Sequence, residues 1–266
     1  MKRIVPGLLI AGLWLSLLLL GSASMFNVVV VAIVLIGADE YIRMAFGGVV
    51  SSVDRLLLDC IIALPTGVAC LQPLHSVLIP AAIFSFSLSV GYFLYRYRVL
   101  TDCYSLLSRL VMGIFYIGIL GAHLVLLRAL PEGASWLLIA TAITASSDSG
   151  AYFVGKKFGK TKLCPNISPN KTVEGAVGGL VCAVVASTAF ATFLLPSVSY
   201  LPLILVTILL TGSGIAGDLT ESIIKRGTGT KDSGRCLAGH GGILDRIDSL
   251  LFVAPVLYYF LLFSVI

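Results

Sequence analysis

Residues 104–127 read YSLLSRLVMGIFYIGILGAHLVLL, and Arg109 is the one formally charged residue in this run of 24. A transmembrane helix needs about 20 mostly apolar residues to cross a bilayer, so this run is long enough to span one. The rest of the chain is similar, since its 266 residues are 58% hydrophobic and 12% charged, whereas a soluble domain carries about 25% charged residues. This composition excludes a soluble domain, a disordered chain and a coiled coil, and it predicts an all-α polytopic membrane protein.

Apolar runs between polar or Gly/Pro breaks predict about nine transmembrane helices. They lie at roughly 4–20, 24–38, 56–72, 77–95, 104–127, 133–155, 173–195, 199–217 and 249–266. The first run has an alternative interpretation, because basic residues at its start and Ser22-Ala23-Ser24 at its end are also typical of a cleaved signal peptide. The second run, which follows immediately, favours a membrane helix.

The cationic residues predict the orientation of these helices. With the N-terminus inside and the helices alternating, 17 of the 18 Lys and Arg residues lie on the inner side, and Arg128 alone lies outside. The positive-inside rule therefore predicts a multi-pass protein of the cytoplasmic (inner) membrane, with a cytoplasmic N-terminus and the C-terminus on the opposite side. Orientation accounts for the net charge of +5, so this charge does not indicate a nucleic-acid partner.

The chain divides into two regions by composition. Residues 1–140 are predicted to be transmembrane helices with structural or lipid-facing roles, and Asp39, Glu40 and Asp59 within them are expected to be interfacial or structural. Residues 141–266 contain two long inner loops, at roughly 156–172 and 218–248, rich in Gly, Lys, Asp, Ser and Thr. Loops of this length are usually functional or disordered. We expect a catalytic region here, on the cytoplasmic face.

Four acidic residues lie inside the predicted spans or at their inner ends, namely Asp148, Glu174, Asp218 and Glu221. Ionisable groups at such depth are costly unless they are paired, hydrated or bound to a metal, so each is a candidate functional residue. The alternative for any one of them is an acid solvated at a helix end.

Residues 217–226 are predicted to continue the eighth span as a helix. Asp218, Glu221, Ser222 and Lys225 then share one face of that helix, at i, i+3, i+4 and i+7. Glu221 and Lys225 can form a simple helix-stabilising pair. Asp218 has no such partner in its own helix, and it is therefore a candidate metal ligand.

A glycine-rich segment precedes the last span. Glycines at 239, 241 and 242 surround His240 and allow the backbone to approach a ligand and direct its N–H groups towards an anion. Asp245 and Asp248 follow on the first turn of the predicted helix. Two carboxylates beside such a turn suit Mg²⁺ shared with phosphate oxygens, and helix capping by Asp245 or Asp248 is the alternative.

The other loop contains Pro165 and Pro169, which predict a shaped turn. Ser168, Lys171 and Thr172 offer donors suited to phosphate. Neither a P-loop nor a G-x-G-x-x-G fingerprint is present, so a nucleotide would bind without a soluble nucleotide-binding fold.

These motifs resemble the phosphatidate cytidylyltransferase (CDP-diacylglycerol synthase) family. Its signature is similar to Ser222-x-x-Lys225-Arg226, four residues, Lys231-Asp232-Ser233, and then Gly239-His240-Gly241-Gly242-x-x-Asp245-Arg246-x-Asp248. A second family block is similar to residues 148–175. The resemblance covers roughly the last 120 residues, and Ala238 stands where the family usually has Pro.

The resemblance implies the reaction of CTP with phosphatidate to form CDP-diacylglycerol and pyrophosphate at a bilayer, with Mg²⁺ as cofactor and room for a second metal ion. It implies metal ligation by Asp218 and Asp245. The residues with implied catalytic roles are Lys225, Arg226, Lys231, Asp232, His240, Arg246 and Asp248. Those with implied substrate contacts are Asp148, Ser168, Lys171, Thr172, Glu174, Ser222, Gly241 and Gly242. A homodimer is left open.

Two other functions use a comparable site. A CTP-dependent kinase of a lipid alcohol would transfer the γ-phosphoryl group and release CDP. A transporter would use intramembrane acids to bind coupling ions, but here the acids are predicted at one membrane face, and the two halves of the sequence show no repeat.

Overall fold

The computed structural model describes residues 4–234 and 241–264, and this part of the chain contains ten α-helices. They are α1 Ile4–Leu20, α2 Ala23–Phe46, α3 Ser52–Leu71, α4 Leu78–Arg96, α5 Cys103–Gly113, α6 Leu120–Ala129, α7 Gly133–Phe158, α8 Val173–Leu194, α9 Tyr200–Gly227 and α10 Leu244–Leu262. A π-helical segment, Ile114–Ile119, joins α5 to α6, and a 3-10 turn, His75–Val77, precedes α4. Within the described residues, each of the nine predicted spans overlaps a helix.

Six helical stretches in the described residues are long and apolar enough to cross a membrane. They are Ala23–Phe46, His75–Arg96, Cys103–Ala129, Gly133–Phe158, Val173–Leu194 and Tyr200–Gly227. The first, third and ninth predicted spans fall outside this set. α3 carries Asp54, Arg55 and Asp59 near its start, and α10 begins with a similarly charged turn. The protein is a multi-pass, helical membrane protein, and the count of nine spans stays a prediction.

The two faces of α8 differ in residue size and in exposure. Small residues recur every four positions on its buried face, at Gly175, Gly179, Ala183, Ser187 and Ala191. Valines on another face are 56–63% exposed, at 177, 181 and 185. Small residues let transmembrane helices approach closely, whereas an exposed apolar stripe is stable only against lipid. The periodicity of α8 therefore separates its protein contacts from its lipid contacts.

The chain forms two compact units that are discontinuous in sequence. The first unit contains residues 1–129 and 227–246, and the second contains residues 130–226 and 247–266. The first boundary lies where the chain turns from α6 into α7, near 130 rather than 140. Residues 227–246 group with the first unit, where Glu40 of α2 accepts the backbone N–H groups of Ile243 and Leu244. The functional division at residue 140 stays a prediction.

The first unit packs around the π-helical segment. A Cβ at Gly113 would lie 2.8 Å from the ring of Tyr41, and the Tyr41 hydroxyl donates to the carbonyl of Arg109 at 2.7 Å. Thr66 in α3 donates to the carbonyl of Gly118 at 2.9 Å. Polar side chains thus satisfy backbone groups where the α-helical pattern is interrupted.

The first predicted loop is shorter and more regular than expected, and the second begins with the helix predicted for residues 217–226. In the first, α7 continues to Phe158, and an antiparallel hairpin follows, formed by strands β1, Lys162–Cys164, and β2, Ser168–Thr172. In the second, α9 continues to Gly227, so the prediction that residues 217–226 are helical is confirmed. β1 and β2 are the two strands of the described residues. The sequence predicted a shaped turn here, but not a β-hairpin.

Candidate functional site

A cavity of about 250 Å³ in the second unit brings together several predicted site residues. Asp148 from α7, Lys171 and Thr172 from β2 and Asp218 from α9 line it, and we call these four residues the acidic pocket. Ser147, Tyr152 and Asn170 also line the cavity. Ser168 lies at the other end of β2, opposite Cys164, and is not among the lining residues.

Asp218 is balanced by a lysine from another element. Its Oδ2 forms an ion pair with Nζ of Lys171, and the two side chains are 30% and 25% exposed. Its Oδ1 accepts the hydroxyl of Ser222, one turn along α9, at 3.5 Å. Among the ion pairs of the described residues, Asp218 pairs with no cation of its own helix, as predicted, but folding brings Lys171 to it. The pair places a carboxylate and an ammonium group side by side at the cavity.

Asp248 lies in the field of two other carboxylates. It is 9% exposed, and burial together with the neighbouring Asp218 and Asp148 raises its pKa above the usual range of an aspartate. Lys225 acts in the opposite direction. Oδ1 of Asp248 accepts the N–H of Ser249 at 2.7 Å. Three acids and two lysines of the second unit therefore interact, which is the charge distribution of a site for a cation and an anion.

The rest of α9 holds the neighbouring cations. Lys225 Nζ lies 2.5 Å from Oε2 of Glu221, whose side chain is 1% exposed, so the predicted helix-stabilising pair is confirmed. Arg226 is exposed, and its Nε donates to the carbonyl of Ile167 in the hairpin turn at 3.4 Å. α9 therefore orients one lysine by a buried partner and directs one arginine towards the hairpin.

Glu174 and Thr172 bind backbone groups of the hairpin and of α8. The carboxylate of Glu174 accepts the N–H of Lys160 at 3.0 Å and that of Thr161 at 3.1 Å. Thr172 is the N-cap of α8, and its hydroxyl accepts the N–H of Gly175 at 3.1 Å. Both residues were predicted to contact substrate. In the structure they fix the hairpin beside the acidic pocket, and their contact with substrate stays a prediction.

Replacing Glu174 by glutamine is expected to loosen the start of the hairpin. The amide retains one acceptor oxygen but loses the charge, and a hydrogen bond to a charged acceptor is stronger than one to a neutral acceptor. Amide exchange at Lys160 and Thr161 should therefore become faster by on the order of 10-fold, measured by hydrogen–deuterium exchange. Glu132→Gln, at an exposed position of the same unit, is the control. Unchanged exchange at Lys160 and Thr161 would contradict the role of Glu174.

The remaining signature residues lie in the first unit. Lys231, Asp232 and Arg246 are exposed, and their catalytic roles stay predictions. His240 and Ala238 lie outside the described residues. Asp245 Oδ2 accepts the N–H of Gly242 at 2.7 Å and the hydroxyl of Ser233 at 2.8 Å. The alternative interpretation of Asp245, capping at the start of the last helix, thus has direct structural support.

The backbone N–H groups at this turn are already bonded. That of Gly242 donates to Asp245, and those of Ile243 and Leu244 donate to Glu40 of α2. Gly241 has φ +79°, a conformation that favours glycine. The sequence predicted that N–H groups here would face an anion. In this structure, the groups at residues 242–244 face carboxylates of the protein instead.

Comparison with known proteins completes the description of the site. A family model described as "Cytidylyltransferase family" matches residues 1–264, which is nearly the whole chain. The chain belongs to the cytidylyltransferase family. Among similar proteins, the phosphatidate cytidylyltransferase of Bacillus subtilis is 38% identical over 267 residues, covering 99% of this chain and 98% of that protein.

Staphylococcal members of the family match about half of the chain at higher identity. The phosphatidate cytidylyltransferase of Staphylococcus saprophyticus is 46% identical over 147 residues, which is 55% of this chain and 56% of that protein. That of Staphylococcus aureus is 45% identical over 154 residues, or 58% of each chain.

The acids of this cytidylyltransferase family member suit a magnesium ion shared with substrate. Across residues 4–234 and 241–264, no three His, Cys, Asp or Glu side chains converge closely enough to hold an ion by themselves. Mg²⁺ is commonly bound by one or two carboxylates, with water and substrate phosphates completing the coordination. Asp218 fits this pattern, because it already binds a cationic group and lies near two further acids. Ligation by Asp218 or Asp245 stays a prediction.

Two groups of residues near the signature were not singled out from the sequence. Tyr152 and Asn170 line the cavity because they stand one turn from Asp148 on α7 and next to Lys171 on β2. Glu40 was expected to be structural or interfacial, but its buried bonds to residues 243 and 244 were not foreseen. No local signal indicated these bonds, since Arg43, three residues later in the same helix, offers Glu40 a nearby cation.

Proposed function

We propose that this protein is a phosphatidate cytidylyltransferase, which converts CTP and phosphatidate into CDP-diacylglycerol and pyrophosphate in phospholipid biosynthesis. The observation that carries this proposal is the acidic pocket, where Asp218 and Lys171 meet at the end of membrane-spanning helices. A water-soluble nucleotide and a lipid head group can meet at such a position. The family membership of residues 1–264 and the full-length similarity to the Bacillus subtilis enzyme support it.

The reaction is an in-line displacement at phosphorus. An oxygen of the phosphatidate phosphate attacks the α-phosphorus of CTP, and a new P–O bond forms. The bond between the α-phosphorus and its bridging oxygen to the β-phosphate breaks, and pyrophosphate leaves with the electron pair. The attacking phosphate is mostly ionised near neutral pH, since the second pKa of a phosphate monoester is about 6. No strong general base is needed, so the protein has to align two anions and neutralise charge.

Cationic side chains of the second unit supply this neutralisation. We assign phosphate contacts to its Lys171, Lys225 and Arg226, and the catalytic roles of Lys231 and Arg246, which lie in the first unit, stay predictions. Lys171 can balance either Asp218 or an incoming phosphate, because it lines the cavity itself. Lys225 is held by buried Glu221, which limits the entropy lost when it binds an anion.

In the second unit, magnesium would be held by Asp218, with Asp248 and Asp148 near it, and ligation by Asp245 stays a prediction. When bound, it would polarise the phosphoryl oxygens and stabilise the leaving pyrophosphate. Ser222 orients Asp218 from the next turn of α9 through its hydroxyl.

The proposed location is the cytoplasmic membrane, with the acidic pocket on the cytoplasmic face. Support comes from the cations, 17 of which fall on one side when the helices alternate. CTP is made in the cytoplasm and phosphatidate is a bilayer lipid, so this face gives access to both.

The test uses the full chain in lipid nanodiscs that contain phosphatidate. CTP labelled either at the α-phosphate or at the γ-phosphate is added with Mg²⁺, and the lipid and aqueous products are separated. The expected result is α-label in the lipid and γ-label in pyrophosphate. Nanodiscs without phosphatidate are the control for substrate dependence.

Two outcomes would contradict the proposal. γ-Label in the lipid with release of CDP would identify a CTP-dependent lipid kinase. Absence of label from the lipid, while a phosphatidate cytidylyltransferase in the same nanodiscs is active, would exclude cytidylyl transfer by this chain.

A further inference from the structure

A buried carboxylate in α2 caps the beginning of α10. Glu40 is 4% exposed, and its two oxygens accept the N–H groups of Ile243 and Leu244, each at 3.0 Å. Leu244 is the first residue of α10, and the first N–H groups of a helix have no partner within it. Residues 241–243 are Gly, Gly and Ile, so they offer no side-chain oxygen. Glu40 therefore supplies from a distant helix the acceptors for Ile243 and Leu244, while Asp245 accepts the N–H of Gly242.

Ser233 connects this cap to Asp245. Its hydroxyl lies 3.3 Å from Oε2 of Glu40 and 2.8 Å from Oδ2 of Asp245. Its N–H donates to the same Asp245 oxygen at 3.2 Å, and the side chain is 4% exposed. Both carboxylates thus share one buried hydroxyl, and the two ends of the segment from 233 to 245 are held together through it.

Two glycines of this segment leave space for Glu40. A Cβ at Gly234 would collide with Oε1 of Glu40, and a Cβ at Gly242 would collide with Oε2 and with the hydroxyl of Ser233. Neither glycine has a positive φ angle. Their absence of a side chain is therefore needed for the close approach of the carboxylate rather than for an unusual backbone conformation.

We propose that Glu40 is a positioning residue for cytidylyl transfer, which holds Ser233 and residues 242–244 in the arrangement in which Asp245 and Arg246 act. This inference rests on the proposed function. Both Glu40 oxygens are engaged by protein donors and the side chain is buried, so Glu40 acts through these residues and not on a substrate. Because Glu40 and Ser233 are 193 residues apart, the contact exists only in the folded unit.

Glutamine is the informative replacement for Glu40. It has nearly the same size, but one of its two polar atoms is an NH₂ group, which cannot accept a hydrogen bond. Both Glu40 oxygens accept an N–H group, so either orientation of the amide points a donor at Ile243 or at Leu244. The substitution breaks the cap without leaving a cavity.

The test measures kcat, KM and amide exchange for Glu40→Gln in the full chain. Substitutions that act through a neighbouring ligand typically cost about 10–100-fold in activity, and we expect a decrease of this size in kcat. KM for phosphatidate should change little. Exchange at the amides of residues 242–244 should become faster, which a general loss of folding would not confine to this segment.

Asp39→Asn is the matched control. Asp39 is the adjacent acid of α2, and it pairs with Arg43 at 2.7 Å and Arg55 at 3.0 Å instead of binding the segment before α10. Its removal should leave kcat and the exchange of residues 242–244 unchanged. Ser233→Ala is a milder second variant, which should lower kcat less than Glu40→Gln, and the effects of the two should not be additive, because the two groups share a hydrogen bond.

Each result decides between the alternatives. Unchanged exchange at 242–244 in Glu40→Gln would overturn the cap, whether or not the wild type is active. Faster exchange with unchanged kcat in an active enzyme would overturn the positioning role. Additive effects of Glu40→Gln and Ser233→Ala on kcat would also overturn it. An inactive wild type would instead contradict the proposed function, while the exchange measurement still tests the cap.

Discussion

Replacing Asp218 by asparagine is expected to lower kcat by on the order of 1,000-fold, because a bound metal contributes several kcal/mol of charge stabilisation and each 1.36 kcal/mol is a factor of ten. Asparagine has the same shape, but it cannot balance Lys171 or hold a divalent cation as a carboxylate does. The measurement is the rate of cytidylyl transfer to phosphatidate at several Mg²⁺ concentrations. The residual activity should require more Mg²⁺ than the wild type does.

Glu132→Gln is a suitable control, since it removes a carboxylate at an exposed position of the same unit. It should retain wild-type kcat and Mg²⁺ dependence. Asp218→Asn removes both the predicted metal ligand and the ion pair with Lys171. Lys171→Met removes the ion pair but keeps the carboxylate, so it should weaken phosphate binding and raise KM for CTP. If Asp218→Asn were nearly as active as the wild type, Asp218 would be removed from the site.

Replacing Gly179 by alanine is expected to destabilise the second unit by about 1–3 kcal/mol, the usual cost of forcing extra volume into a well-packed interface. A Cβ at this position would lie 2.6 Å from the carbonyl oxygen of Ser147 on α7, and a backbone atom cannot move aside easily. Since α7 carries Asp148 and α8 begins next to Thr172, separation of these helices should also reduce kcat. The apparent Tm in detergent and the transfer rate measure both effects.

Replacing Gly212 of α9 by alanine is expected not to destabilise the protein. A Cβ at Gly212 would meet no atom within 4 Å, and alanine is favoured over glycine in a helix by about 1 kcal/mol. This variant should melt at the same temperature as the wild type or slightly above it. Equal Tm values for Gly179→Ala and Gly212→Ala would show that α7 and α8 are not in close contact at Gly179.

Local patterns in the sequence predicted features that depend on neighbouring residues. Apolar runs predicted the positions of the helices, and the 3.6-residue period placed Asp218, Glu221 and Lys225 on one face of α9. The Glu221–Lys225 pair is confirmed, because residues four apart in a helix are always close. The signature from Ser222 to Asp248 predicted the family, and the match over residues 1–264 confirms it.

Other features of the structure could not be predicted from these local patterns. The hairpin at 162–172 was predicted only as a shaped turn, since its strands are three and five residues long and too short for a clear alternation. α3 and α10 each begin with charged residues and continue with apolar ones, so their composition is typical of neither a membrane span nor a soluble helix. Their apolar runs predicted helices correctly, but not how those helices lie in a membrane.

The amino-acid sequence alone determined that the protein is a helical membrane protein and identified the polar residues of its signature, because composition and helical period are properties of short segments. Only the tertiary structure decided which charges meet. Lys171 pairs with Asp218 across 47 residues and Glu40 with Leu244 across 204, and no local spacing encodes such contacts. A buried carboxylate must find a donor or a cation, but its chemistry does not specify which one, and the packing of distant helices makes that choice.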